Sequence, residues 1–163
     1  MPPFTIRPMN GPEDIAAAQR LLRQYHDGMR EDRCFVRFEQ EIRNLPGDYI
    51  PPHGEFLLAC IGNEAVGCVA LKPMATPHCS ELKRFFVRPE FRGQGIGLAL
   101  FRAIIGHAYS VGYREIRLDT IPTLEKAIAM YRQHGFVEVE PWVDPVPSAV
   151  LFMALHLEPP DGV

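Results

Sequence analysis

The run Arg92-Gly93-Gln94-Gly95-Ile96-Gly97-Leu98 is the stretch whose residue types and spacing point most directly to chemistry. Alternating glycines beside an arginine, set between a strand pattern and an amphipathic helix pattern, present several backbone N–H groups at a helix N-terminus. The macrodipole there favours an anion, and glycine lets a phosphate approach the main chain. The run reads as a pyrophosphate cradle; the alternative is a plain glycine-rich connection. Spacing excludes two other phosphate motifs. A dinucleotide fingerprint needs Gly-x-Gly-x-x-Gly, whereas the glycines here fall at 93, 95 and 97, and the Gly-Lys-Ser/Thr ending of a Walker loop is missing.

The elements that must hold this loop follow from periodicity. Phe4 to Pro8 alternates like a short strand, and Asn10-Gly11-Pro12 opens a helix carrying Ile15, Ala18, Leu22, Tyr25 and Met29 at steps of three and four. A weaker helical pattern covers Phe35 to Leu45, and Asp48 to Gly54 is a loop. Glu55 to Ile61 and Glu64 to Met74 make a hairpin around Gly62-Asn63, and Ser80 to Val87 adds a strand that Pro89 ends. A helix follows with Ile96, Leu100, Ala103, Ile104 and Ala108 on one apolar face, stopped by Gly112; His107 follows the buried side and reads as packing. Glu115 to Thr120 is a strand. Pro122 marks the start of a last helix with Leu124, Ala127, Ile128 and Tyr131 on its inner face and Gly135 at its end. Phe136 to Val139 and Ala149 to Leu157 supply two final strands around the Pro141 to Pro147 loop.

Arg92, Gly95 and Gly97 match an Arg/Gln-x-x-Gly-x-Gly/Ala signature, and Tyr131-Arg132-Gln133-His134-Gly135-Phe136 is similar to a Tyr-x-x-x-Gly-Phe block. With both in the right order, the chain resembles the GNAT superfamily of acetyltransferases over about residues 4 to 157. The resemblance implies an α/β fold: a mixed, mostly antiparallel sheet of about seven strands, flanked by about four helices, with a V-shaped cofactor cleft. It implies acetyl-CoA as co-substrate, its pyrophosphate held by Arg92 and the amides of Gly93, Gln94, Gly95, Ile96, Gly97 and Leu98. The pantetheine arm then lies along the backbone of Phe85, Phe86 and Val87, where the fourth and fifth strands splay apart, an opening with which Pro89 is compatible. The rings of Phe85 and Phe86 can pack in the core at the same time.

Acetyl transfer to an amine needs a neutral amine, a positioned thioester, a place for the oxyanion and a proton donor for the departing thiolate. An amine near the lysine reference of about 10.4 is mostly protonated at neutral pH, so a carboxylate or a water chain must take its proton. By the resemblance, Glu81 stands at the offset from Arg92 where the histone-type branch carries its catalytic glutamate; it is either that base or an ordinary strand residue. Tyr131 stands where the family has the tyrosine that protonates the CoA thiolate, on a helix face where a core tyrosine would look the same. The asparagine that the family often has seven residues earlier is Leu124 here, so its contact with pantetheine is lost or passes to Thr120 or Thr123. Arg84, His78, Asp119 and Trp142 could reach an acceptor pocket, and none is assigned a catalytic role. The acceptor enters between the first two helices and the Pro141 to Pro147 loop. Direct attack in a ternary complex is preferred to an acyl-cysteine, because no cysteine has a recognisable base partner. The activity this implies is an acetyl-CoA-dependent N-acetyltransferase acting on a primary amine of a small molecule. The alternatives are a protein or peptide N-acetyltransferase and a CoA-binding regulatory module without turnover.

Composition is consistent with this. At 163 residues, 47% hydrophobic and 23% charged, the chain fits one globular domain with a core over about 4–157 and a mobile tail at 158–163. A net charge of -3 with no basic cluster argues against nucleic acid as a partner. The apolar runs fall far short of the roughly 20 residues of a membrane-spanning helix. The start, Met-Pro-Pro-Phe-Thr-Ile-Arg, resembles no secretion signal, which points to the cytoplasm. Cys34, Cys60, Cys68 and Cys79 lack the spacing of a metal site or a disulfide framework and read as buried free thiols. A monomer or a homodimer is expected.

Overall fold

The apolar patterns fold into β1 (Thr5–Pro8), α1 (Gly11–Met29), α2 (Phe35–Arg43), β2 (Glu55–Ile61), β3 (Glu64–Pro73), β4 (Cys79–Val87), a 3-10 turn (Pro89–Phe91), α3 (Ile96–Ser110), β5 (Glu115–Thr120), α4 (Glu125–Gln133), β6 (Val137–Glu138) and β7 (Leu151–His156). The computed structural model describes residues 3–29, 35–147 and 149–158; Cys34 and residues 159–163 of the expected mobile tail lie outside them. The seven strands form one sheet in the order β1-β2-β3-β4-β5-β7-β6. Every pairing is antiparallel except that of β4 with β5. This is the mostly antiparallel α/β architecture that the sequence implied.

Both faces of the sheet are covered, which is why β2 is apolar at nearly every position rather than at alternate ones. Leu57, Leu71 and Leu82 pack with Ile96, Leu100, Phe101 and Ile104 of α3. Phe56, Leu58, Cys68 and Ala70 pack with Ala18, Leu22, Phe38 and Ile42 of α1 and α2. Cys60, Cys68 and Cys79 are buried free thiols, and burial pushes Cys68 up to about 12, which leaves it protonated. Among the described residues no helix is long and apolar enough to cross a membrane.

Two element boundaries differ from expectation for identifiable reasons. Pro122 does not start α4: Ile121 to Leu124 is a turn in which the Leu124 N–H donates to the Ile121 carbonyl at 3.1 Å, and the helix begins at Glu125. Leu124 is therefore an exposed N-cap residue and not part of the inner face. β6 is only two residues long. The Val139 N–H still reaches the Phe152 carbonyl at 2.9 Å, but Pro141 has no N–H with which to extend the pairing.

The opening in the sheet is made by a bulge. β4 and β5 pair only between Cys79, Ser80, Glu81 and Glu115, Ile116, Arg117. Beyond that, β4 slips against β3: Cys68 pairs with Phe86 but Ala70 with Lys83, so Arg84 and Phe85 together oppose Val69. Arg84 takes φ 57°, left-handed backbone that a non-glycine residue rarely adopts. Such an insertion bends its strand, and here it carries the second half of β4 away from β5. Pro89 is not the cause of the splay, since it lies past the strand in the 3-10 turn.

Candidate active site

A cleft of about 500 Å³ occupies the gap between the diverging strands. One wall is Lys72, Leu82, Lys83, Arg84 and Phe85 from β3 and β4; the other is Leu118, Asp119 and Thr120 from β5, with Leu124 and Tyr131 beside it. Tyr25, His26, Phe38 and Glu41 of α1 and α2 cover the side facing those helices.

Tyr131 is set into this cleft by its aromatic neighbours. Its ring packs against Phe101 at 5.5 Å, Phe136 at 5.8 Å and Phe85 at 6.5 Å between centroids. These contacts fix the ring, and among the described residues no hydrogen bond engages its hydroxyl. Burial, with a smaller contribution from Tyr25, pushes the phenol above its ordinary value of 10. The hydroxyl therefore stays neutral and able to donate.

The carboxylates near the gap differ in how they are held. Glu81 is buried and sits between Lys72 Nζ at 3.9 Å and Lys83 Nζ at 3.7 Å, and it does not line the cleft. Glu41 accepts two hydrogen bonds from Arg84, from Nε at 2.6 Å and from Nη2 at 2.8 Å. The same guanidinium lies 4.5 Å from the centroid of Phe38. Asp119 lines the cleft with no hydrogen bond or ion pair among the described residues. Of the four polar residues expected to reach an acceptor, Arg84 and Asp119 line the cleft. His78 is an exposed turn residue whose carbonyl accepts the Arg114 N–H at 2.8 Å, and Trp142 packs edge-on against Phe152 at 4.8 Å.

The glycine loop meets the cleft through Phe85. A Cβ on Gly97 would lie 3.6 Å from Phe85 Cζ and 3.7 Å from Val87 Cγ2, so the first turn of α3 rests on β4. Gly93 and Gly95 take φ 79° and 85°, and nothing lies within 4 Å of where their Cβ atoms would be. No side chain caps α3. The Ala99 N–H is taken by the Gly95 carbonyl at 3.1 Å, while the N–H groups of Ile96, Gly97 and Leu98 have no partner within the helix. An open face with free donors is what a pyrophosphate requires. Arg92 Nε donates to the Val87 carbonyl at 2.8 Å, which holds the guanidinium beside the loop.

The sequence matches the Acetyltransferase (GNAT) family over residues 15–136. The chain belongs to the GNAT family of acetyltransferases. It is 36% identical over 156 residues to the uncharacterized N-acetyltransferase C1271.07c of Schizosaccharomyces pombe, covering 94% of this chain and 95% of that one. Relatives from Dictyostelium discoideum, Rattus norvegicus and Mus musculus are longer, and the match spans only 37% to 46% of their length. A GNAT acetyltransferase from Staphylococcus aureus Mu50 superposes with a TM-score of 0.78 at 21% identity, over 96% of this chain and 100% of that one. The PaiA N-acetyltransferase of Thermoplasma acidophilum, solved in complex with coenzyme A, superposes with a TM-score of 0.71 at 20% identity, over 95% and 99%.

In this GNAT chain Thr120 lines the cleft with Leu124, whereas Thr123 does not, so of the two threonines Thr120 is the one whose side chain faces the cleft. Tyr25, Phe38, Glu41, Lys72 and Lys83 are cleft residues that periodicity does not reveal. In one-dimensional pattern they are helix-face and strand residues like any other. A strand position in the left-handed region, as at Arg84, leaves no mark in residue type.

Proposed function

We propose that this GNAT acetyltransferase moves the acetyl group of acetyl-CoA to a primary amine of a small molecule, by direct attack in a ternary complex. The observation that carries this reading is the gap between β4 and β5, with the unengaged Tyr131 hydroxyl in it and the uncapped start of α3 packed on its wall. The N–H groups of Ile96, Gly97 and Leu98, with Gly93, Gln94 and Gly95 before them, hold the pyrophosphate, and Arg92 adds a cation. The edge of β4 at Phe85, Phe86 and Val87, left without a β5 partner, accompanies the pantetheine arm.

Tyr131 serves the thiolate. A phenol held above 10 is a weaker acid than a thiol of about 8.5. Its main contribution is therefore a hydrogen bond that strengthens as negative charge gathers on sulfur. Glu81 is the candidate base; standing outside the cleft lining, it would take the amine proton through ordered water. Direct attack is supported by the cysteines: burial, with the Glu115 contact, pushes Cys79 up to about 12, and no described cysteine lines the cleft.

The covering side chains of α1 and α2 and a volume of about 500 Å³ favour a small acceptor. The test is free-thiol release from acetyl-CoA with a panel of small amines beside a panel of peptides. Turnover confined to peptides would overturn the small-molecule assignment.

A further inference from the structure

We propose that the acceptor is an amine that also carries a carboxylate, its ammonium received by Asp119 and its carboxylate by the Lys72–Lys83 pair. This rests on the acetyl-transfer reading and names the substrate class of the same cleft.

The charges lining the cleft are unevenly paired. Arg84 and Glu41 neutralise one another through two short hydrogen bonds, 2.6 and 2.8 Å, and offer a ligand no net charge. Lys72 and Lys83 line the β3–β4 wall and share one carboxylate, Glu81, at 3.9 and 3.7 Å. Two ammonium groups on one carboxylate leave a positive charge unmet, and the lysine side chains keep 33% and 21% exposure through which a ligand can reach them. Across the gap on β5, Asp119 is a carboxylate without an ion pair among the described residues. The adjacent cation on that strand, Arg117, is held by Glu115 at 2.6 Å. One surplus charge of each sign thus faces the cleft from opposite walls. A simple alkylamine would satisfy only Asp119, whereas a zwitterion satisfies both.

The phosphates of CoA do not account for the lysine surplus. Lys83 stands opposite Ala70 and Val87, the end of β4 nearest the glycine loop, opposite Gly67, so three residues of β3, about 10 Å, separate them. The pyrophosphate belongs at the far end, and the lysines stand on the acceptor side.

The experiment is thiol release with acetyl-CoA and matched acceptors: α-, β- and γ-amino acids, each beside its own carboxamide. At least one acid is expected to exceed its carboxamide about ten-fold or more in kcat/KM, the scale of one charge-assisted hydrogen bond. Lys83→Gln leaves Lys72 and Glu81 as a balanced pair, and it should reduce the acid-to-carboxamide ratio about ten-fold; Lys72→Gln is the second variant, and thermal unfolding confirms that each is folded. Asp119→Asn should lower kcat/KM for acid and carboxamide together, leaving their ratio in place. Equal use of acids and carboxamides, or an unchanged ratio in both folded lysine variants, would overturn the proposal. Absence of transfer to every member would also overturn it; if acetyl-CoA then still raises the melting temperature, the cofactor assignment stands, and if it does not, that reading falls as well.

Discussion

Glu41→Gln keeps the shape of the side chain and removes the charge that fastens α2 to the bulge in β4. Arg84 donates to both carboxylate oxygens and lies over Phe38, and the two side chains are only 19% and 27% exposed. A solvent-exposed pair would contribute about 0–1 kcal/mol, while breaking a fully buried pair costs about 3–5 kcal/mol. At this intermediate burial the loss should be about 2–3 kcal/mol, because the guanidinium is left largely desolvated with a weaker acceptor. For a chain of 163 residues that corresponds to a fall of about 4–12 °C in melting temperature. The pH dependence has a definite sign. Burial pushes Glu41 up, but the Arg84 hydrogen bonds and charge outweigh it and hold the carboxyl below its ordinary value. A depressed acid stabilises the fold above its unfolded value of about 4.3 and loses that contribution as pH falls through the folded one. Thermal unfolding by circular dichroism should therefore show the widest gap between wild type and Glu41→Gln near neutrality, narrowing below about pH 4. A variant melting within about 1 °C of wild type at pH 7, or a gap that widens on acidification, would refute the assignment of this pair as the tie between α2 and the sheet.

Tyr131→Phe should leave the melting temperature nearly unchanged, since no described hydrogen bond is lost, while turnover falls about 10²- to 10⁴-fold; normal turnover by a variant that melts early would make it a core residue only. At Gly95, where φ is 85° and a side chain meets nothing within 4 Å, Asn and Asp should fold about equally well, both tolerating left-handed backbone. Gly95→Asn should then keep most of the acetyl-CoA-induced rise in melting temperature and Gly95→Asp lose it, and equal rises would show that no phosphate sits there. Glu81→Gln should lower turnover chiefly at low pH, where fewer amines are already deprotonated, with little change in acetyl-CoA binding; a wild-type rate across the whole pH range would remove Glu81 as the base.

What could be read from the sequence divides along the distance between interacting residues. The glycine loop was legible because its ingredients are consecutive: glycines able to take positive φ, then a helix start whose free N–H groups follow from helix geometry alone. The inner face of α4 was legible in part. Helical spacing placed Tyr131 on the same side as Ala127 and Ile128, but it extended that face back to Leu124, because the turn at Ile121–Leu124 competes locally with the first helical turn. The end of the cleft under α1 and α2 was not legible. Arg84 meets Glu41 across 43 residues of chain, and two lysines on adjacent strands meet over Glu81 only once β3 and β4 have taken their register. That register contains a slip which periodicity cannot express, since a bulge places two residues opposite one and turns the following side chains to new faces. The same slip bends β4 from β5 and brings Arg84 under α2. The residues that open the cleft and those that set its charge thus belong to one irregularity, which becomes visible only when the strands are paired.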